Sequence, residues 1–119
     1  MPCSGFVVES TFILGAGPVI APVTEMETAQ FECPTAFNET VLWKVRTILR
    51  GVDGEHRQIY RNGLLVATFK NTGRYSVTYK AGVYTLTIIN VTVTDAGEYR
   101  CIEEEGINST SSAFLKVKG

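Results

Sequence analysis

Turn-forming residues recur about every ten positions along this chain, and this regularity limits the folds that it can adopt. They form segments such as GAGP at 15–18, RNG at 61–63, KAG at 80–82 and TDAG at 94–97. The runs between them are short and rich in Val, Ile, Thr, Tyr and Phe, which favour strands. Helical periodicity is not evident. The pattern therefore predicts an all-β protein, either a many-stranded antiparallel sandwich or a barrel.

Alternation within these runs assigns an inward face to each strand, because every second side chain points to the same side. Phe31 and Cys33 share one phase in TAQFEC. Trp43 takes the inward phase of TVLWKV, and Tyr99 and Cys101 share that of GEYRC. A bridge between Cys33 and Cys101 would therefore cross the core, and Trp43 is placed to pack on it.

Length, charge and hydropathy narrow the classes of function. The chain has 119 residues, 45% of them hydrophobic, which suits one domain with a proper core. Its net charge of −1 does not favour a nucleic-acid partner. The longest apolar run, FILGAGPVIAPV, contains two prolines and is shorter than the roughly 20 residues that cross a bilayer. No membrane span is expected in this fragment.

The GAGP segment predicts a domain boundary, because Gly and Pro clusters often separate folded units. Residues 1–17 are interpreted as an N-terminal extension or linker, and residues 18–119 as the folded domain. Cys3 falls in the extension. It could pair with another chain, pair with a neighbouring segment, or remain a free thiol.

Cys33, Trp43 and the DAGEYRC block at 95–101 resemble the immunoglobulin fold, with Cys33 in strand B, Trp43 in strand C and Cys101 in strand F. The resemblance covers about residues 18 to 118. It implies a Greek-key β-sandwich of V type, or a V/I hybrid, with a C′ strand and room for a C″ strand. Such domains occur in cell-surface receptors and adhesion molecules.

The resemblance also implies roles for particular residues. Cys33 and Cys101 would form a disulfide, with two buried free thiols as the alternative. The hydroxyl of Tyr99 would bond to the main chain a few residues upstream. Asp95 would pair with an arginine at the start of strand D, for which Arg74 is the candidate.

Catalytic and metal chemistry find little support in the sequence. The single histidine, His56, lies in the polar loop GVDGEHRQ, and no Ser or Cys nucleophile has a second histidine to act with. The cysteines lack metal-ligand spacing. Neither an enzyme, nor a cofactor, nor a metal site is predicted, so function is expected to reside in a binding surface.

The outward face of strands G, F, C and C′ is the first candidate for that surface. Side chains in phase opposite to Trp43 and Cys101 should point out and form an apolar centre with a charged rim, as protein interfaces do. The residues assigned to this face are Leu42, Lys44, Arg46, Gln58, Tyr60, Arg100, Ile102, Glu104 and Phe114.

The expected partner is a protein, either a second copy or a heterophilic cell-surface ligand. A two-fold dimer would bring the F–G end of one copy near the C to C′ region of the other, and these regions carry opposite charge. The acids are Glu103, Glu104 and Glu105, and the bases are Arg46, Arg50, Arg57 and Arg61. Recognition by the B–C, C′–C″ and F–G loop tips is the second hypothesis, and a structural array is the third.

Three N-x-S/T sequons indicate the secretory route and an extracellular or cell-surface location. They begin at Asn38, Asn90 and Asn108. A glycan on Asn108 would crowd the F–G tip and leave the strand face more open, which favours the first hypothesis over the second.

Overall fold

Two β-sheets pack face to face in the computed structural model of this chain. The structure describes residues 8–35, 41–49, 52–53, 56–104 and 110–119. Cys3 and the sequons at Asn38 and Asn108 lie outside the described residues. The strands are β1 (Glu9–Ile13), β2 (Val19–Thr24), β3 (Thr28–Pro34), β4 (Val41–Leu49), β5 (Val52–Asp53), β6 (Arg57–Arg61), β7 (Leu64–Leu65), β8 (Tyr75–Lys80), β9 (Val83–Ile88), β10 (Gly97–Glu103) and β11 (Thr110–Lys118).

The back sheet has the strand order β1-β3-β9-β8, and the front sheet has the order β2-β11-β10-β4-β6-β7, with β5 paired to β4. Pairing is antiparallel except between β1 and β3 and between β2 and β11. Short helical segments at Ala67–Lys70, named α1, and at Val93–Asp95 connect strands. The predicted all-β sandwich is confirmed, including strands at the C′ and C″ positions, β6 and β7.

The core lies between the sheets and contains the side chains that alternation placed inward. Phe31, Trp43 and Tyr99 are fully buried, and the rings of Phe31 and Tyr99 stack 5.3 Å apart. Cys33 of the back sheet is bonded to Cys101 of the front sheet. Trp43 lies directly opposite Cys101 in the β4–β10 pair, so the indole is beside the disulfide.

The N-terminal part of the described chain belongs to the sandwich, contrary to the linker expected over residues 1–17. β1 forms the edge of the back sheet, where Phe12 packs against Phe31 at 5.9 Å. Leu14 is buried, and its N–H donates to the carbonyl of Glu32 at 2.8 Å. The GAGP segment reverses the chain between β1 and β2, in opposite sheets, instead of separating a linker from a domain. The folded domain therefore begins before residue 18, closer to the N-terminus than the sequence predicted.

A polar network around Asp95 ties the two sheets together at one end. The buried Asp95 carboxylate accepts hydrogen bonds from Arg74, from the Tyr75 hydroxyl at 2.5 Å and from the Thr92 N–H at 2.8 Å. The Tyr99 hydroxyl donates to the carbonyl of Asp95 at 2.5 Å. Burial alone raises the pKa of Asp95, but the bonds from Arg74, Tyr75 and Thr92 outweigh it and hold the pKa below its usual value.

Candidate protein-binding face

The outward side of the front sheet is organised in rows, because residues directly opposite each other on neighbouring strands hold their side chains together. The first row contains Ile20, Phe114, Glu98 and Arg46. The second row contains Ser112, Arg100, Lys44 and Gln58. The third row contains Thr110, Ile102 and Leu42. We call the residues of these three rows the front face.

Glu98 lies at the centre of the front face with its side chain only 8% exposed. Arg100 contacts both of its carboxylate oxygens, Nε to Oε2 at 3.2 Å and Nη2 to Oε1 at 3.3 Å. Arg46 Nη2 lies 3.4 Å from Oε1, and His56 Nε2 lies 3.6 Å from the same oxygen. A nearly buried carboxylate thus holds two guanidinium groups, with an imidazole beside it, on an outward sheet surface.

His56 is affected by all three charges of this cluster. Burial lowers the pKa of its imidazole, and the positive charges of Arg100 and Arg46 lower it further, while Glu98 acts in the opposite direction. The net effect holds the pKa of His56 below its usual value. His56 therefore contacts Glu98 mainly as a neutral group at neutral pH.

Sequence reasoning missed Glu98, although its phase, shared with Arg100, was available. The pattern of GEYRC emphasises its inward residues, and a single outward acid in such a run is typical of solvated surface. The register that sets Glu98 opposite Arg46 depends on how β10 aligns with β4, and this alignment is not readable from either strand alone.

Leu42 is not an exposed contact residue as the sequence predicted, because it is only 8% exposed. Arg61 Nη2 lies 3.0 Å from Glu104 Oε2, and these side chains come from opposite sides of β4. Their contact therefore spans the outward side of β4 near Leu42. Glu104 is also paired within the chain, in contrast to the predicted contact with an arginine of a second copy.

Tyr60 points inward, so its assignment to the front face is wrong. A bulge between Trp43 and Lys44 sets Tyr60 opposite Trp43 but Gln58 opposite Lys44. The extra residue moves Tyr60 to the inward side together with Ile59. The ring of Tyr60 lies 6.4 Å from that of Tyr84 in the back sheet. Gln58 is exposed, as expected of an outward residue.

The remaining apolar residues of the front face are partly accessible. Phe114 and Ile102 are half-buried. Ile20, directly opposite Phe114, is 60% exposed. Sequence reasoning did not include Ile20, because the strand that carries it was read only as an apolar run next to the supposed boundary. The apolar part of the face therefore lies on the β2 to β10 side.

The acidic and basic groups expected to meet in a two-fold dimer are not arranged as predicted. Glu103 is buried opposite Val41, in the inward phase. The guanidinium of Arg57 lies 5.4 Å from the ring of the buried Phe69. Arg50 and Glu105 lie outside the described residues.

The described part of the chain offers neither a metal site nor a membrane-spanning helix. Within it, no group of three or more His, Cys, Asp or Glu residues could hold a metal ion. None of its helices is long and apolar enough to cross a membrane.

Comparisons with known proteins identify the class. The family model of the immunoglobulin I-set domain matches residues 60–117. The second Ig domain of the mouse polymeric immunoglobulin receptor has a TM-score of 0.68 at 17% identity, with 87% of this chain and 98% of that chain covered. The RIG-5 IG1 homodimer gives 0.66 at 20% identity over 85% and 91%. The ZIG-8 IG1 homodimer gives 0.57 at 19% identity over 84% and 78%.

No curated protein sequence matches the chain significantly. The fold, the inter-sheet disulfide and the partial family match define a disulfide-bridged β-sandwich of immunoglobulin type. The chain has the immunoglobulin fold, and the I-set family model matches just under half of its length. Domains of this kind are typically non-enzymatic and commonly extracellular.

Proposed function

We propose that this chain is an extracellular recognition or adhesion module that binds a protein partner through the front face. The observation that carries the proposal is the composition of that face. Exposed Ile20 and half-buried Phe114 lie in one row with the buried Glu98 and its arginines. Apolar and aromatic side chains beside well-held arginines are typical of the centres of protein interfaces.

The structural neighbours support a protein partner. The neighbouring RIG-5 and ZIG-8 domains form homodimers, and the two proteins also form a ZIG-8–RIG-5 heterodimer through IG1 domains. For this chain, both a second copy and a different cell-surface protein are therefore partners to test.

Loop-tip recognition is the second candidate function, and one observation favours it. Leu64 is exposed immediately after the Asn62–Gly63 turn, between the strands at the C′ and C″ positions. An exposed leucine beside a turn could serve as an anchor for a ligand.

The test compares substitutions on the two sheets. The multivalent domain is screened against a panel of purified cell-surface ectodomains that includes the domain itself, and every interaction found is measured by surface plasmon resonance. Phe114→Asp should weaken binding by at least about 30-fold, because it places a charge in the apolar part of the face. Thr78→Asp, an exposed position on the back sheet, is the matched control and should bind like the wild type.

Circular dichroism of all variants establishes that they remain folded. Equal binding by Phe114→Asp and the wild type would refute the front-face proposal. Loss of binding in Leu64→Asp, with Phe114→Asp unaffected, would establish the loop-tip candidate in its place.

A further inference from the structure

The outward side chains of β4 and β10 carry more positive than negative charge. Among those that the structure describes, the cations are Lys44, Arg46 and Arg100, and the anion is Glu98. Three cations and one anion leave an excess of two positive charges. The neighbouring pair of Arg61 and Glu104 adds no net charge. Because the whole chain has a net charge of −1, positive charge is concentrated on this face.

Arg46 and Arg100 both contact Glu98 but keep N–H donors that a ligand could reach. The side chains of Arg46 and Arg100 remain 30% and 36% exposed. The bond from Arg46 to Glu98 is long, at 3.4 Å, and joins only one of the guanidinium nitrogens, Nη2, to the carboxylate. A guanidinium group has five N–H donors and pairs well with carboxylates. Each of the two arginines can therefore donate hydrogen bonds to a second carboxylate that belongs to a partner.

Glu98 also fixes where such a carboxylate would bind. Its contacts hold the Arg46 and Arg100 guanidiniums beside each other, so less side-chain freedom is lost when a ligand arrives. Lys44 lies two positions before Arg46 on β4 and opposite Arg100 across the β4–β10 pair. Phe114 provides an adjacent apolar surface in the row of Glu98.

We propose that the partner of the front face is a protein with an acidic contact surface, whose carboxylates bind Arg46, Arg100 and Lys44 while an apolar side chain packs on Phe114 and Ile20. This inference rests on the proposed function and names the kind of partner. A second copy fits less well, because its front face would carry the same excess of positive charge, and facing like charges oppose association.

The first experiment uses defined probes on the intact domain. Two short peptides are titrated while backbone amide signals are followed by NMR, one alternating glutamate with phenylalanine and the other alternating lysine with phenylalanine. The acidic peptide should shift amides of β4 and β10 selectively, and raising the salt concentration should weaken its binding. The basic peptide should not bind there. Equal effects of the two peptides, shifts confined to other strands, or no shift with the acidic peptide would overturn the inference.

Matched charge reversals test the location of the effect. Lys44→Glu should weaken binding of the acidic peptide about five- to tenfold, since it replaces an attraction by a repulsion. Lys80→Glu makes the same charge change on the exposed side of β8 in the back sheet, and should alter binding less than about twofold. Equal effects of the two substitutions would show that the peptide responds to the overall charge of the domain and not to the front face. That result would overturn the inference.

Sedimentation equilibrium separates this inference from the proposed function. The domain should remain monomeric at micromolar concentration in low salt. Self-association that Phe114→Asp abolishes would overturn the acidic partner in favour of a second copy, while the front face would stand as the binding surface. Protein binding that Phe114→Asp leaves unchanged would instead refute the proposed function itself.

Discussion

Arg74 binds the carboxylate of Asp95 through two hydrogen bonds, Nη1 to Oδ2 at 2.7 Å and Nη2 to Oδ1 at 3.1 Å, although the residues lie 21 positions apart. Arg74 precedes β8 of the back sheet, and Asp95 precedes β10 of the front sheet. The pair therefore connects the two sheets. Because Asp95 is buried, loss of Arg74 would leave its negative charge without its main counter-charge.

Arg74→Ala should reduce the free energy of unfolding by about 2 to 4 kcal/mol, as expected when one partner of a largely buried ion pair is removed. Urea unfolding at pH 7 measures the change. Lys70→Ala, which removes an exposed cation at the end of α1, is the control and should have little effect. A loss below about 0.5 kcal/mol in Arg74→Ala would show that the pair is solvated.

The stability difference between the wild type and Asp95→Asn should depend on pH. The pKa of Asp95 in the folded protein is below its usual 3.8, so the unfolded chain takes up the proton first as pH falls. The contribution of the ionised carboxylate is fully present above about pH 5 and is lost as pH falls through the folded-state pKa. The gap between the two unfolding curves should thus be constant from neutral pH to about pH 5 and narrow below about pH 4. A gap that widens in acid would contradict a lowered pKa of Asp95 in the folded protein.

Gly97→Ala should be strongly destabilising, by more than about 2 kcal/mol. A Cβ at this position would lie 2.4 Å from the carbonyl oxygen of Arg46 and 2.8 Å from the Cα of Thr47. These are main-chain atoms of the paired strand β4, which cannot shift out of the way as a flexible side chain could. Gly17→Ala is the matched control, since no described atom lies within 4 Å of the Cβ it would add. Thermal unfolding distinguishes the two, and equal melting temperatures would count against the close approach.

The disulfide should account for a large part of the stability. It joins Cys33 and Cys101 across a separation of 68 residues, which on the chain-entropy model stabilises the fold by about 4 kcal/mol. The double variant Cys33→Ala/Cys101→Ala should lose about that amount in urea unfolding. Intact mass before and after reduction checks the bridge itself. Alkylation of both cysteines in the native, unreduced protein would contradict it.

Asn90 should carry a glycan when the protein is made in a secretory host. It is exposed and has a positive φ of 48°, which asparagine tolerates well. Asn90→Asp is the suitable variant because aspartate also tolerates this conformation, whereas glutamine would add strain. Peptide mass spectrometry should find the glycan in the wild type only. An unmodified Asn90 in the secreted wild type would contradict the prediction.

The sequence was sufficient for the sandwich because alternation depends only on neighbouring residues. Trp43 and Tyr99 follow the period-two pattern without interruption, and their burial agrees with it. Gly97 was interpreted as a turn residue. Its close approach to Arg46, which lies 51 positions earlier in the sequence, depends on the pairing of β10 with β4.

The front face could be predicted only in part, because one bulge changes the phase of a strand. Tyr60 faces inward since the pairing of β6 with β4 gains a residue beside Trp43, and nothing in RQIYR indicates this. Glu98 was missed because its importance comes from cross-strand neighbours and not from its own run. The features that the sequence could not predict are therefore those that depend on how strands pair, and not on the composition of any one strand.

The position of β1 brings the two ends of the described chain to one turn. The N–H of Thr28 donates to the carbonyl of Val8 at 2.9 Å, and the N–H of Glu25 donates to the carbonyl of Lys118 at 2.7 Å. The two anchor residues are three positions apart. A short linker from Gly119 to Val8 could therefore permit circular permutation of the described sandwich, with new termini opened at the exposed Asn62–Gly63 turn. Such a permutant would present the front face from a different point of attachment while keeping every strand pair of its three rows.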